Sequence, residues 1–259
     1  HSSKVIKLAR QFSIPMTHHS PPLVIVLLSF FLVNPLLAEG EISRKAPAEY
    51  TKNILPQLTD YKPLLKQKDP FLDSDDSGTV ILRERVIWVH PDGRRLKAHH
   101  VIYKARTEQG IDALAQDSYS FDSLLTKVHV VMARTILPDG TIKNMADNAA
   151  FIERGKGDRS SQLYHSNKKI VLVFPDTQVG ACTESIVIFE DLQPRQAGEY
   201  TGSTSWAPGW PIVQDRFILD LPQEMQDRLK IDNLGIPAIT PKIEKLTART
   251  RSIWLRKHV

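Results

Sequence analysis

The chain has 259 residues, with 34 Lys and Arg against 29 Asp and Glu, for a formal charge of +5. Its apolar (41%) and charged (24%) fractions are ordinary, which excludes a wholly disordered chain and leaves enough apolar residues for a core. The single cysteine, Cys182, excludes an intrachain disulfide and a multi-cysteine metal site.

Residues 1–38 carry Lys4, Lys7 and Arg10 and no acidic residue, so their removal takes the charge from +5 to +2. A body so nearly balanced lacks the concentrated basic face of a protein that tracks nucleic acid. Residues 23–37 are apolar but interrupted by Asn34-Pro35. The run is short for a membrane span, which needs about 20 residues. It has the length of a signal-peptide core, with Ala38 as the last residue before cleavage. Met16 is the expected start, although Thr17-His18-His19-Ser20 supplies no Lys or Arg. No cysteine follows the cleavage point, so a lipid anchor is not expected. The expected location is periplasmic or extracellular, with membrane contact only through an uncleaved leader.

Residues 39–78 form a polar, irregular lead-in, punctuated by Pro47, Pro56, Pro63 and Pro70. Short helices fit 48–55 and 60–67. The segment Asp73-Ser74-Asp75-Asp76-Ser77-Gly78, with Glu84, matches a twelve-residue calcium loop on paper. A calcium hand needs flanking helices, but Pro70 precedes and a strand follows. An extended run would put Glu84 roughly 20 Å from Gly78 at about 3.3 Å per residue. An acidic solvated turn is the expectation, and no metal or cofactor is expected.

From Thr79 the pattern becomes extended. Thr79–His90 puts Val80, Leu82, Val86 and Trp88 on one face and Arg83 and Arg85 on the other. Pro91-Asp92-Gly93 then turns the chain into an antiparallel partner, Arg94–Ala105. Pro presets φ, Asp bonds back to the backbone, and Gly takes the positive φ that closes the turn. Gln109-Gly110-Ile111 ends that strand. Ser118–Phe121 is a short strand. Lys127–Leu137 alternates and meets a second copy of the turn, Pro138-Asp139-Gly140. Lys168–Phe174 is a strand, Pro175–Gly180 a loop, and Ala181–Glu190 the expected partner. Ile212–Leu221 is another strand, and 223–230 a short helix. Strands with turn signals at this spacing predict an all-β, antiparallel β-sandwich with few short helices.

The order of these segments resembles a known family. It runs from a Pro-Asp-Gly turn through Glu108-Gln109-Gly110-Ile111, Tyr119-Ser120-Phe121-Asp122 and Ala133–Gly140. A tract around Tyr164–Phe174 leads into Phe174–Ala181, then Asp191-Leu192-Gln193-Pro194 and Ile212–Phe217. The whole resembles domain of unknown function 3857, over about 79–259. That module sits in exported bacterial proteins just before a transglutaminase-like domain. The resemblance implies a non-catalytic module with such a domain as its partner. Two departures stand out. The strand after Gly180 reads Ala181-Cys182-Thr183-Glu184-Ser185-Ile186, where the family usually has an acidic or aliphatic-Glu-Tyr strand. Ser252–Val259 reads as a strand about to run on, so the module is expected to be incomplete at that end.

A thiol enzyme would need Cys182 at a helix N-terminus with a His and an Asp beside it. Cys182 instead falls in a predicted strand, and nothing in the sequence assigns it His99, His100, His129 or His165. Arg94, Arg95, Lys97, Lys104 and Arg106 are basic, but their side chains divide between two strand faces, as edge-protecting charges do. His99 and His100 point to opposite faces, a poor metal chelate. Trp206 and Trp210, in a Pro/Gly-rich loop, are the candidate ligand-binding residues for a sugar, a peptide or a neighbouring domain. Three readings follow: a docking module, a free-standing carbohydrate- or peptide-binding domain using Trp206 and Trp210, or a thiol enzyme using Cys182. The leader generates one prediction. Protein recovered from the cell envelope should begin near Glu39 on N-terminal sequencing, and Met16 retained on soluble cytoplasmic protein would refute export.

Overall fold

The computed structural model describes residues 42–153, 166–206, 209–232 and 239–259. The leader, and Tyr164 and His165 of the tract leading to Phe174, lie outside the described residues. The chain is β-rich, with few and short helices, as its patterning predicts. Its strands are β1 (Gly78–Val89), β2 (Arg95–Ala105), β3 (Gln116–Asp122), β4 (Thr126–Ile136), β5 (Ile142–Asn144), β6 (Ala150–Glu153), β7 (Asn167–Val173), β8 (Cys182–Asp191), β9 (Ile212–Pro222), β10 (Lys242–Lys245) and β11 (Arg249–Lys257). Eight of them form one sheet in the order β10-β11-β9-β1-β2-β8-β4-β5, and β3-β7-β6 form a second.

The two Pro-Asp-Gly turns are the same object. In the first, Gly93 N–H donates to His90 O at 3.0 Å and His90 N–H to Arg94 O at 2.8 Å. In the second, Gly140 N–H donates to Leu137 O at 2.9 Å and Leu137 N–H to Thr141 O at 2.8 Å. Asp92 Oδ1 accepts from Arg94 N–H at 2.9 Å, and Asp139 Oδ1 from Thr141 N–H at 2.8 Å. Gly93 (φ +95°) and Gly140 (φ +87°) both take the left-handed conformation. This is a three-residue hairpin loop closed by a glycine bulge, which right-twisted strands favour. Gly180 (φ +83°) turns the chain into β8, its N–H donating to Ala105 O at 2.9 Å.

The large sheet is covered on both faces. On one, Phe121, Ile170 and Leu172 of the small sheet pack on Val128, Val130, Val187 and Phe189 of β4 and β8. Beside them, Trp206 and Met225 cover Phe217, Leu219, Leu221 and Trp254 of β9 and β11. On the other face, Tyr50 and Ile54 of the lead-in pack on Val86, Ala98, Ile188 and Ile218. Helix α1 (Lys62–Lys66) extends that cover, with Leu64 and Leu65 against a cluster that contains Cys182 and Ile102. Residues 42–78 are thus a lead-in of short helices and loops, but they form a layer of the fold.

Three details differ from the sequence reading. The large sheet is mixed, because β1 pairs with β9 in parallel from Val80↔Ile212 to Trp88↔Asp220. Side-chain alternation reports which face is buried and carries no information on strand direction. Strand β8 is not the hairpin partner of β7. It lies between β2 and β4, while β7 lies between β3 and β6. Every residue of β8 except Glu190 is buried, which only an interior strand of the larger sheet can satisfy. The turn at Gln109-Gly110-Ile111 belongs to helix α2 (Glu108–Leu114), capped by Thr107, whose side chain accepts from Gly110 N–H at 3.3 Å. Ile253-Trp254-Leu255 lie in β11, which pairs with β9, and Trp254 is buried.

The turns separate two costs. A Cβ on Gly140 would meet nothing within 4 Å, whereas on Gly93 it would lie 2.6 Å from Gln196 O and 2.9 Å from Glu199 O. Gly140→Ala should cost on the order of 1 kcal/mol through positive φ alone. Gly93→Ala should cost clearly more, since backbone must also shift. Urea melts of both variants check this, and equal losses would show that the 196–199 contact carries no stability.

Candidate functional site

The alternation in β1 contains an intruder. Glu84 occupies the stripe of Leu82, Val86 and Trp88, and it is fully buried. The same happens on four neighbouring strands, giving a row Arg216 (β9), Glu84 (β1), His100 (β2), Glu184 (β8), Arg134 (β4), with a two-residue step between His100 and Glu184. The register explains the row: Glu84 is paired with Arg216 on one side and His100 on the other, and Glu184 with Arg134.

The contacts are close. Arg216 Nη1 lies 2.7 Å from Glu84 Oε1, and Arg134 Nε 2.7 Å from Glu184 Oε2. Between them His100 Nε2 is 3.0 Å from Glu184 Oε1. His100 Nδ1 is 3.6 Å from Glu84 Oε2, an ion-pair distance too long for a hydrogen bond. The lead-in closes the row from above. Thr59 donates to Glu84 through its N–H (3.0 Å) and Oγ1 (2.8 Å). Arg216 Nη1 donates to Gln57 O at 2.6 Å, and Arg134 donates to the Tyr61 hydroxyl. The Tyr61 ring stands edge-on to His100, with centroids 5.8 Å apart.

These partners set the charge states. Burial raises the Glu84 pKa, but His100, the Thr59 N–H and Arg216 outweigh it, and the net shift is downward. Glu184 is likewise lowered, by His100 and Arg134 against burial. Burial pulls His100 down, but the Glu184 hydrogen bond and the two flanking carboxylates outweigh it, and the net shift is upward. The row is therefore held as alternating charges, with every carboxylate saturated. Such a set grips strands together. It offers no carboxyl with a pKa near neutrality and no unspent base.

Cys182 lies on the same sheet face, buried, with its thiol pushed up to about 11 by burial against the opposing effect of Lys104. An activated thiol needs the opposite shift. Among the described residues, no group of three or more His, Cys, Asp or Glu side chains converges as a metal site would. The sequence-matched calcium residues separate: Glu84 is spent in the row, while Ser74 Oγ donates to Asp76 within the acidic turn.

Residues 91–259 match the family described as "Domain of Unknown Function with solved-structure structure (DUF3857)". The chain belongs to the DUF3857 family. The matched span opens at Pro91, inside the β1–β2 turn, so Glu84 and the lead-in that seal the row stand before it. A solved structure described as a "putative protease from Parabacteroides distasonis ATCC 8503" is similar, with a TM-score of 0.58 and 13% identity. The likeness covers 71% of this chain and 36% of that one, so the chain spans about a third of that protein and shares its fold. No curated protein matches the chain.

The remaining candidates of the DUF3857 module are structural in their placement. Trp206 is buried, with Arg85 5.0 Å above its ring and Phe217 edge-on at 6.4 Å. Trp210 is half-buried, edge-on to Tyr103 at 6.2 Å, and its ring fills the space where Gly78 has no Cβ. The two indoles form no shared exposed face, because the open stretch of sheet beneath them is apolar and must be covered. His99 faces away from His100, edge-on to Tyr119 and Phe189, and burial with nearby Lys97 and Arg85 pushes its pKa down to about 4. His129 bonds Lys45 O at 2.9 Å and Glu190 at 2.8 Å. The basic stretch is dispersed: Arg94 pairs with Asp92 at 2.7 Å, Arg95 with buried Asp191 at 2.5 Å, and Lys97 lies over the Phe189 ring. The ion row itself went unread in the sequence. Its signal is a charged residue on the apolar stripe of each of five strands.

The row has a pH signature. His100 is raised above its ordinary 6.5, so its contribution is full below pH 6.5 and fades as pH rises through the folded value. The glutamates are lowered from 4.5, so theirs is full above pH 4.5 and fades as pH falls through their folded values. The row is strongest between those limits. His100→Gln keeps a donor but no charge. Its deficit in melting temperature against the parent should be larger near about pH 5.5 than near about pH 9. A deficit independent of pH would show that His100 is not protonated in the row.

Proposed function

We propose that this chain is a non-catalytic, β-rich module of an exported protein, and that it holds or docks a second, transglutaminase-like domain following it in sequence. One observation carries the reading. The ionisable groups buried at the centre of the sheet are all neutralised by fixed partners beneath the lead-in, which is the chemistry of a rigid scaffold. The thiol supports it, being raised to about 11 in an apolar wall. The fold match supports it too, since the similar region makes up 36% of the solved protein, as a module within a larger chain would. The family resemblance supplies the identity of the partner domain. A carbohydrate- or peptide-binding role through Trp206 and Trp210 loses its ground, because Trp206 is buried.

The reading has two tests. Purified residues 39–259 should show no thiol-dependent peptidase or acyl-transfer activity, and an activity abolished by Cys182→Ser would overturn the non-catalytic role. In a longer protein carrying both domains, short-arm crosslinkers should join surface lysines of this module to the following domain. Independent tumbling of the two, with no such crosslinks, would overturn the docking role.

A further inference from the structure

One end of the lead-in face is not filled. Helix α1 and residues 67–70 stand off from the sheet there, and a cavity of ≈ 380 Å³ opens between them, the second Pro-Asp-Gly turn and the Gly180 turn. Its size falls within the range of small-molecule sites, about 300–1,000 Å³. Its wall is mostly apolar, with Leu64, Leu65, Ile81, Ile136, Pro138 and Val213. The thiol of Cys182 belongs to this wall.

The polar groups in that wall are few and unequal. Asp69 is engaged, accepting from Phe71 N–H at 2.9 Å and from Thr79 Oγ1 at 3.5 Å, with Arg106 at 3.9 Å. Lys104 is different. It sits on β2, across from Cys182 of β8 and Thr79 of β1, and is half-buried. Among the described residues, its ammonium meets no carboxylate and no hydrogen-bond acceptor. The contrast with Arg83, Arg95, Arg134 and Arg216 on the same sheet is sharp, since each of those is paired. A cation partly withdrawn from water, at the wall of an apolar cavity, is complementary to an anion carried on an apolar body. Exposed Lys68, also in the wall, adds a second positive charge at the rim.

We infer that this cavity binds a small apolar carboxylate, with its hydrocarbon part against Leu65, Ile81, Ile136 and Val213 and its carboxylate on Lys104. A straight medium-chain acid has the right chemistry: it is ionised at neutral pH and its chain needs only an apolar slot. The site is independent of the docking role, because it lies under the module's own lead-in and uses none of the ion row.

The test uses octanoate as probe and 1-octanol as its uncharged match, at about pH 7.5, where the acid is ionised. Isothermal titration should give octanoate a Kd of about 1 mM or tighter, and octanol a clearly weaker one. Lys104→Met should weaken octanoate about tenfold or more while leaving octanol unchanged, as loss of a charge-assisted contact requires. Ile136→Trp, which fills the slot, should weaken both. Lys104→Gln serves if the methionine variant loses stability, and circular dichroism melts without ligand report folding. Octanoate that fails to bind the parent, binds the Lys104 variants equally well, or binds no better than octanol overturns the site. Thiol-activity and crosslinking results are unaffected by any of these outcomes, so this inference and the docking role fail separately.

Discussion

Burying a carboxylate is the constraint around which the large sheet is built. Glu84 and Glu184 are both fully buried, and an unpaired carboxylate there would cost several kcal/mol. Each needs a cation at one fixed place. Arg216, His100 and Arg134 supply it only if β9, β1, β2, β8 and β4 are in one register. A slip of a single residue in any one of these strands would carry its member of the row to the opposite face, away from its partner. The net energy of such a row is small against a well-packed apolar substitute, but the penalty for breaking it is large. The row therefore selects one alignment of five strands more than it adds stability.

The same constraint explains the lead-in. A row of ion pairs open to water would be screened and weak. Gln57, Thr59 and Tyr61 close it, with Thr59 donating to Glu84, Gln57 O accepting from Arg216, and the Tyr61 hydroxyl accepting from Arg134. Tyr50 and Ile54 anchor that closure in the core beside Val86 and Ile218. A second set of charges holds the far side, where Arg249 and Arg251 flank Asp220 and Gln57 reaches the same carboxylate at 3.4 Å. The span shared with the family begins at Pro91, so this chain completes its central ion row with residues from outside that span.

Much of the fold was legible. The duplicated Pro-Asp-Gly turns fixed two hairpins, and the alternation in β1, β2 and β4 gave their faces, because both signals are local. What was not legible is non-local. The parallel β1–β9 contact joins segments more than a hundred residues apart, and alternation says nothing about direction. β7 and β8, neighbours in sequence, separate into different sheets because β8 is apolar enough for the interior and β7 is not. Trp206 and Trp210 looked like ligand contacts in a Pro/Gly-rich loop. Trp206 is buried against Phe217 and Trp210 is half-buried beside Tyr103, a placement invisible without the topology. Glu84 was weighed only as the last position of a calcium loop, when its position on an apolar stripe was the better clue.

The parallel pairing has a consequence for how the chain acquires its structure. The β1–β2 hairpin closes with a short turn and can form early. Its two flanks cannot. β8 begins at Cys182 and β9 at Ile212, so both neighbours of the hairpin arrive only after most of the chain exists. Closing loops of that length before any contact rewards them makes assembly slow and places it late in synthesis. Until β9 docks, Glu84 has no arginine and β1 offers an unpaired edge to whatever is near. A chain of this topology spends the interval before completion with that edge open, in its most adhesive form.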